Sequence, residues 1–278
     1  YGIQYVKLDL SIVTSAYVYD PIHTGCYATN HGGHRDHAES YDVIYENCME
    51  LFDQMHAELP DLFIDCTFET AGKLQLMDYG IARHAEGNWL SNVESQQPSG
   101  AMRVRNLAWG RTPALPASSL VIGNMRLDDP HRILSLKSLA GTLPIMLGDP
   151  RSLSAQERAE FKKWTKWFRG VEDRHGFMSF RQDLPGFGEP APGRWDGYSR
   201  LNLETKSGGL VGVFREGAAE STRTVSVRGM QPDATYQVRK GPDGAVVCTL
   251  TGAELESKGF SVEITNENDG EVFEIVRK

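Results

Sequence analysis

Residues 1–11 read YGIQYVKLDLS, and their reading decides the fold. Ile3, Tyr5, Val6, Leu8 and Leu10 make the nearly continuous apolar run of a strand buried on both faces, as in a parallel sheet. Lys7 and Asp9 sit two apart inside it, so in a strand they share one face. A charged pair at the end of a buried strand is either an ordinary ion pair or the start of a site.

Outward from that stretch, strand-like and helix-like segments alternate as far as about residue 175. The segment at 36–59 has apolar residues at Val43, Ile44, Met49, Leu51, Phe52 and Met55, which predicts a helix capped by Asp36 or Ser40. DLFIDC (61–66) predicts a short buried strand, 73–85 a helix, and NWLSN (88–92) a strand end. A helix over 101–111, a strand over 118–124, a helix over 131–141 and a strand over 142–147 follow. The segment 154–176 predicts a long amphipathic helix, with Ser154 and Glu157 at capping-box spacing. Repeated strand–helix alternation implies parallel strands with helical crossovers, in an open sheet or as part of an eight-fold barrel.

The texture then changes. DLPGFGEPAPGRWDG (183–197) has the composition of a surface loop. LVGVFRE (210–216), TRTVSVRGM (222–230), ATYQVRKGPDGAVVCTL (234–250) and VFEIVRK (272–278) are short β-rich runs, two of them joined by a GPDG turn. The expected organisation is an α/β region over 1–176 and an antiparallel β-sandwich over 177–278.

Bulk properties exclude several classes. The chain has 278 residues, is 40% hydrophobic and 24% charged, and carries a net charge of −8. That balance offers no footprint for nucleic acid or an anionic membrane. No apolar run is long enough for a membrane span. Cys26, Cys48, Cys66 and Cys248 form no C-x-x-C pair and no disulfide scaffold, and they leave the compartment undecided.

Candidate chemistry lies at the strand ends. The first offers Lys7 and Asp9, the second Asp65, Cys66 and Glu69, the third Trp89, Ser91, Asn92 and Glu94. On a parallel barrel such ends converge on one mouth. Two carboxylates about 5 Å apart there suit retaining glycoside cleavage, one as nucleophile and one as acid/base. Trp89 reads equally as a sugar-stacking ring or a core aromatic, and Cys66 as a sugar contact or a small buried filler. Arg103 and Arg105 read as surface charges. Trp164 and Trp167 read as packing residues on the closing helix. HTGCYATNHGGHRDH (23–37) holds His23, His31, His34 and His37, whose spacing could bind a metal. The two glycines Gly32 and Gly33 and the arginine Arg35 among those histidines favour a sugar-binding loop or solvated surface instead, so no metal site is expected.

YVKLDLS resembles the nucleophile strand of glycoside hydrolase family 36, the α-galactosidase clan. DCTFETAGK keeps Cys66 and Gly72 of the next family strand, with Lys73 where the family has Arg. WLSN, Trp89 to Asn92, stands where the family reads W-T-S-D. GTLPIMLGDPRSLSAQERAEFKKWTKWFR is similar to the last barrel strand and closing helix, and VSVRGMQPDATYQV to the terminal sandwich. The resemblance implies the second half of a (β/α)8 barrel followed by a β-sandwich. It implies a retaining exo-α-glycosidase nearest to α-galactosidase, acting on a carbohydrate substrate without a cofactor. Asp9 would be the nucleophile, with Lys7, Cys66, Glu69, Trp89 and Ser91 binding substrate. The rest of the barrel would come from sequence outside this chain, and homo-oligomers are allowed.

Two positions depart from the pattern. Asn92 stands in the place of the acid/base aspartate and has no useful acidity. Either Glu94 or Glu69 serves instead, or the residue was replaced by engineering, or activity is lost and the protein is a carbohydrate-binding relative. Ser11 replaces an Asn that helps read sugar hydroxyls.

Overall fold

The computed structural model describes residues 2–8, 26–66, 80–92, 98–112, 114–123, 125–143, 145–176 and 180–278. They fall into two compact units, one of residues 1–91 with 119–121, the other of 92–118 with 122–278.

The first unit is built on parallel strands. β1 (Tyr5–Leu8) pairs in parallel with β2 (Phe63–Cys66), which pairs in parallel with β3 (Gly87–Asn92). β4 (Leu120–Gly123) lies next to β3, giving the order β1-β2-β3-β4. The crossover from β1 to β2 is α1 (His37–Glu58), whose N-cap is Asp36, accepting from the Glu39 amide. Met49 and Phe52, three apart, face the core, whereas Leu51 is exposed. The helix expected over 73–85 falls partly outside the described residues, and its described end is a single 3-10 turn, Ile81–Arg83. Gly87 lies opposite Asp65 in the β2–β3 register, and a Cβ there would come within 2.5 Å of the Phe63 ring.

The second unit opens with α2 (Pro98–Trp109) and α3 (Arg132–Leu139). α4 (Ala155–His175) follows, with the Ser154–Glu157 capping box in place. The strands then come in sequence: β5 (Arg181–Asp183), β6 (Arg194–Leu201), β7 (Gly208–Glu216) and β8 (Thr222–Val225). β9 (Thr235–Lys240), β10 (Ala245–Thr251), a short α5 (Gly252–Ser257), β11 (Phe260–Glu263) and β12 (Asn268–Arg277) complete it. Six strands form one antiparallel sheet in the order β10-β9-β12-β7-β6-β5, and β11 pairs with β8 in a second.

The six-stranded sheet is covered on both faces. Val211, Val213, Phe273 and Ile275 share a core with Val225 and Val262 of the small sheet. On the opposite parity, Tyr198, Leu210, Phe214 and Val272 pack with Ala101 of α2, Leu136 of α3 and Trp164 and Phe168 of α4. Trp164 is therefore a packing residue, as expected. α2, α3 and α4 share this core with the strands that follow them.

Three expectations are corrected. Within 183–197, β6 begins at Arg194, and Trp195 and Asp196 are buried strand residues. Among its described residues the run 142–147 forms no strand; Leu143 and Leu147 are single-bridge residues, Leu147 in a parallel bridge to Arg126. The Ala140 and Thr142 carbonyls instead accept from the Arg200 guanidinium at 2.9 and 3.0 Å, so a side chain takes acceptors that a ladder would use. Arg105 is no surface charge: it is 1% exposed.

A second buried charge sets an acid response. The Glu274 carboxylate on β12 accepts from Arg174 Nε at 2.7 Å and faces His175 Nε2 at 3.0 Å. Burial pushes its pKa up, but the hydrogen bonds and charges of His175 and Arg174 outweigh that, and the net shift is downward. A depressed carboxylate stabilises the fold above its unfolded pKa and loses that contribution as pH falls through the folded value. Glu274→Gln is expected to flatten the acid limb of stability against pH, and to cost about 1.5–3 kcal/mol near neutrality for the charge-assisted bonds lost. Urea melts from pH 7 down to about pH 3 check this; a limb parallel to the parent's is the opposing result.

Candidate functional site

The parallel strands β1, β2 and β3 bring a small set of polar side chains to one face of the first unit. Lys7 is the register partner of Asp65, and Asp65 of Gly87, so these three positions point the same way. Trp89, two beyond Gly87, shares that face. The Lys7 ammonium lies 4.1 Å from the centre of the Trp89 ring. Trp89 is only 5% exposed, so its indole serves here as the platform on which Lys7 rests. Such a pair is worth about 0.5–2 kcal/mol, more as water is excluded.

Asp65 is fully buried on the same face and accepts from the Tyr5 hydroxyl at 2.5 Å. Burial first, then the Asp65 hydrogen bond and charge, push the Tyr5 phenol far above its usual range, so it remains a donor. Tyr5 also stacks on Phe63, the residue opposite it in register, with centroids 5.6 Å apart. Sequence reading noted Asp65 but gave it no role; its parity with Lys7 across the β1–β2 pair is the signal that could have done so.

Cys66 is the next residue along β2 and therefore points to the opposite face from Asp65. It is completely buried. Burial, followed by the neighbouring Cys48 thiol of α1 and the charges of Asp65 and Glu86, raises its pKa so that it stays a neutral thiol. Asp9, Glu69, Glu94, His23 and Ser11 lie outside the described residues, as do the side chains of Ser91 and Asn92. The backbone of Ser91 and Asn92 ends β3.

A Trp89→Phe variant tests the Lys7 platform. It is expected to keep the fold and lose about 1 kcal/mol, because the weaker ring quadrupole holds the ammonium less well and a small void is left. Equal unfolding midpoints for variant and parent in urea would count against the pairing.

No family model matches the sequence, and no curated protein matches it. Solved structures do. A glycoside hydrolase family 36 α-galactosidase from Geobacillus stearothermophilus, AgaA, as a variant in complex with raffinose, superposes on 99% of this chain with a TM-score of 0.73 and 14% identity, over 36% of its own length. The galactosidase domain of the α-galactosidase–sucrose kinase AgaSK covers 87% of this chain and 32% of its own, with a TM-score of 0.64 and 18% identity. An α-galactosidase from Lactobacillus brevis gives 0.64 and 12%, over 86% of this chain and 32% of its own. The chain thus spans about a third of the length of these enzymes. At such identities the likeness is one of fold: a mixed α/β architecture with an antiparallel sheet. Among the described residues, no helix is long and apolar enough to cross a membrane.

Proposed function

We propose that the chain is the C-terminal part of a (β/α)8 catalytic barrel with its β-sandwich, in a retaining exo-α-glycosidase of the α-galactosidase type. The observation that carries this is Lys7 poised over Trp89 at parallel strand ends, in a fold that superposes over nearly its whole length on family 36 α-galactosidases. Asp9, two residues beyond Lys7 in the sequence, is the nucleophile. Its carboxylate attacks the anomeric carbon as the glycosidic C–O bond breaks, and a general acid protonates the departing oxygen. The same group then takes a proton from water, which releases the sugar with net retention. Lys7 keeps Asp9 ionised and donates to sugar hydroxyls. Glu94 or Glu69 is the acid/base, since Asn92 cannot be.

Incubating the intact protein with 4-nitrophenyl α-galactoside and following the anomeric proton by NMR tests the reading. Release of α-galactose first is expected. Release of β-galactose first, or no hydrolysis across a panel of nitrophenyl α-glycosides, overturns it.

Asn92 favours a second reading, a carbohydrate-binding relative that has lost its acid. Asn92→Asp separates the two. A gain of roughly tenfold or more toward an α-galactoside with a poor leaving group is expected of a disabled enzyme, because such groups depend most on protonation. Sugar binding with no gain supports the binder.

A further inference from the structure

The connection between β1 and α1 carries a group of side chains that the glycosidase reading does not use. Cys26, His31 and His34 each offer a ligand atom, and these atoms lie within 4.8 Å of one another. Cys26 Sγ is 3.2 Å from His31 Nε2, and the His31 and His34 rings meet edge to face at 4.5 Å. Both ring nitrogens of His34 are buried and have no hydrogen-bond partner among the described residues. A buried imidazole with neither nitrogen satisfied is costly, and a cation between it and its neighbours removes that cost.

From this geometry we infer that Cys26, His31 and His34 bind one zinc-class divalent cation, with the fourth position open to water. The donor set is the first reason. One thiolate and two imidazoles suit a borderline-soft ion such as Zn2+ and suit Ca2+ or Mg2+ poorly. Size is the second. Zn–S near 2.3 Å and Zn–N near 2.0 Å at a tetrahedral angle put sulfur and nitrogen donors about 3.5 Å apart, close to the separation observed. Bracing is the third. The Cys26 amide donates to Ser40 Oγ at 2.9 Å, and that hydroxyl donates to the His37 carbonyl at 2.6 Å, which ties the cysteine to the first turn of α1.

The neighbouring histidine is engaged elsewhere: the His37 ring stacks on Tyr27, centroids 3.7 Å apart. Proton bookkeeping is simple. The Gly33 amide donates to His31 Nδ1 at 3.1 Å, so in the metal-free protein Nε2 carries the proton and directs it at the Cys26 sulfur. Metal binding releases the thiol proton, moves the imidazole proton to Nδ1, and turns the exposed Gly33 amide to water. The expectation of a solvated or sugar-binding loop rested on its glycines and arginine and left the cysteine out of the ligand set.

The inference is independent of the glycosidase reading, and its test reads metal alone. The intact protein, stripped with chelator, is titrated with Co2+ and then Zn2+. Uptake of one ion per chain is expected, with thiolate-to-cobalt charge-transfer absorption and the strong visible bands of tetrahedral cobalt, all displaced by zinc. Cys26→Ser should abolish the charge-transfer band while Cys48→Ser keeps it. His34→Gln should weaken zinc binding at least about tenfold. No stoichiometric uptake, a charge-transfer band that survives Cys26→Ser, or unchanged affinity in His34→Gln overturns the site.

Discussion

Arg105→Met is expected to destabilise the second unit by about 3–5 kcal/mol, the cost of removing one partner from a buried ion cluster. Arg105 reaches from α2 to both sheet carboxylates on the helix-facing parity. Its Nε and Nη2 donate to Asp196 at 2.7 and 3.0 Å, Nη2 also to Glu216 at 2.5 Å, and Nη1 to Ser138 of α3 at 2.8 Å. The guanidinium lies 3.9 Å from the centre of the Phe214 ring. Burial already pushes the Glu216 pKa up, against the pull of Arg105. Without Arg105 the buried Asp196 and Glu216 lose their shared counter-charge, and the Glu216 pKa climbs further above its unfolded value. A raised carboxylate pKa gives stability that is present below the unfolded value and lost as pH rises through the folded one. The variant should therefore gain stability from about pH 7 to about pH 5, relative to the parent. Urea midpoints over that range check both the loss and its sign. Replacing the whole cluster, Arg105→Met with Asp196→Leu and Glu216→Met, should recover most of the loss, because a well-packed apolar set avoids desolvating three charges. A loss below about 1 kcal/mol in the single variant, or one flat with pH, would mean that the cluster contributes no net electrostatic stability.

The same cluster explains what sequence could and could not disclose about the fold. Local signals were legible where a few neighbouring residues decide the structure: the Asp36 cap of α1 and the Ser154–Glu157 box of α4 both stand where expected. β6 was hidden because its residues 194–201 carry Arg194, Asp196 and Arg200, which read as solvated until partners distant in sequence are known. Asp196 is buried against Arg105, 91 residues away. The run 142–147 erred in the other direction, its apolar composition promising a strand where Arg200 instead engages the Thr142 carbonyl at its start.

The candidate site divides in the same way. Period-two alternation puts Lys7 and Trp89 on one face once the strands are paired in register, and it turns Cys66 to the other. The register itself, Lys7 against Asp65 and Asp65 against Gly87, is tertiary information that composition does not hold. The approach of Cys26 to His31 and His34 was beyond reach for a different reason. It depends on the backbone path of an irregular loop, which follows no period.

Asp9→Asn is expected to lower turnover of an activated α-galactoside by more than about a thousandfold, or about 4 kcal/mol in the barrier. Three losses combine. A carboxamide is a poor nucleophile, it carries no negative charge to meet the positive charge developing at the anomeric carbon, and any imidate formed resists hydrolysis. The strand should survive, because Asn has the volume of Asp, so unfolding midpoints near the parent's are expected alongside lost activity. Asp9→Gly sharpens the test. With the side chain gone, azide can enter from the face the carboxylate used. It forms a C–N bond to the anomeric carbon as 4-nitrophenolate departs with the electrons of the broken C–O bond. One displacement in place of two inverts the centre, so the product should be the β-galactosyl azide, and its rate should rise with azide concentration. The nitrophenolate leaving group needs little protonation, so this readout does not depend on whether Glu94, Glu69 or neither is the acid. Near-parent turnover in Asp9→Asn, or an α-configured azide, would remove Asp9 from the mechanism and leave Lys7 a buried-strand cation with a structural partner only.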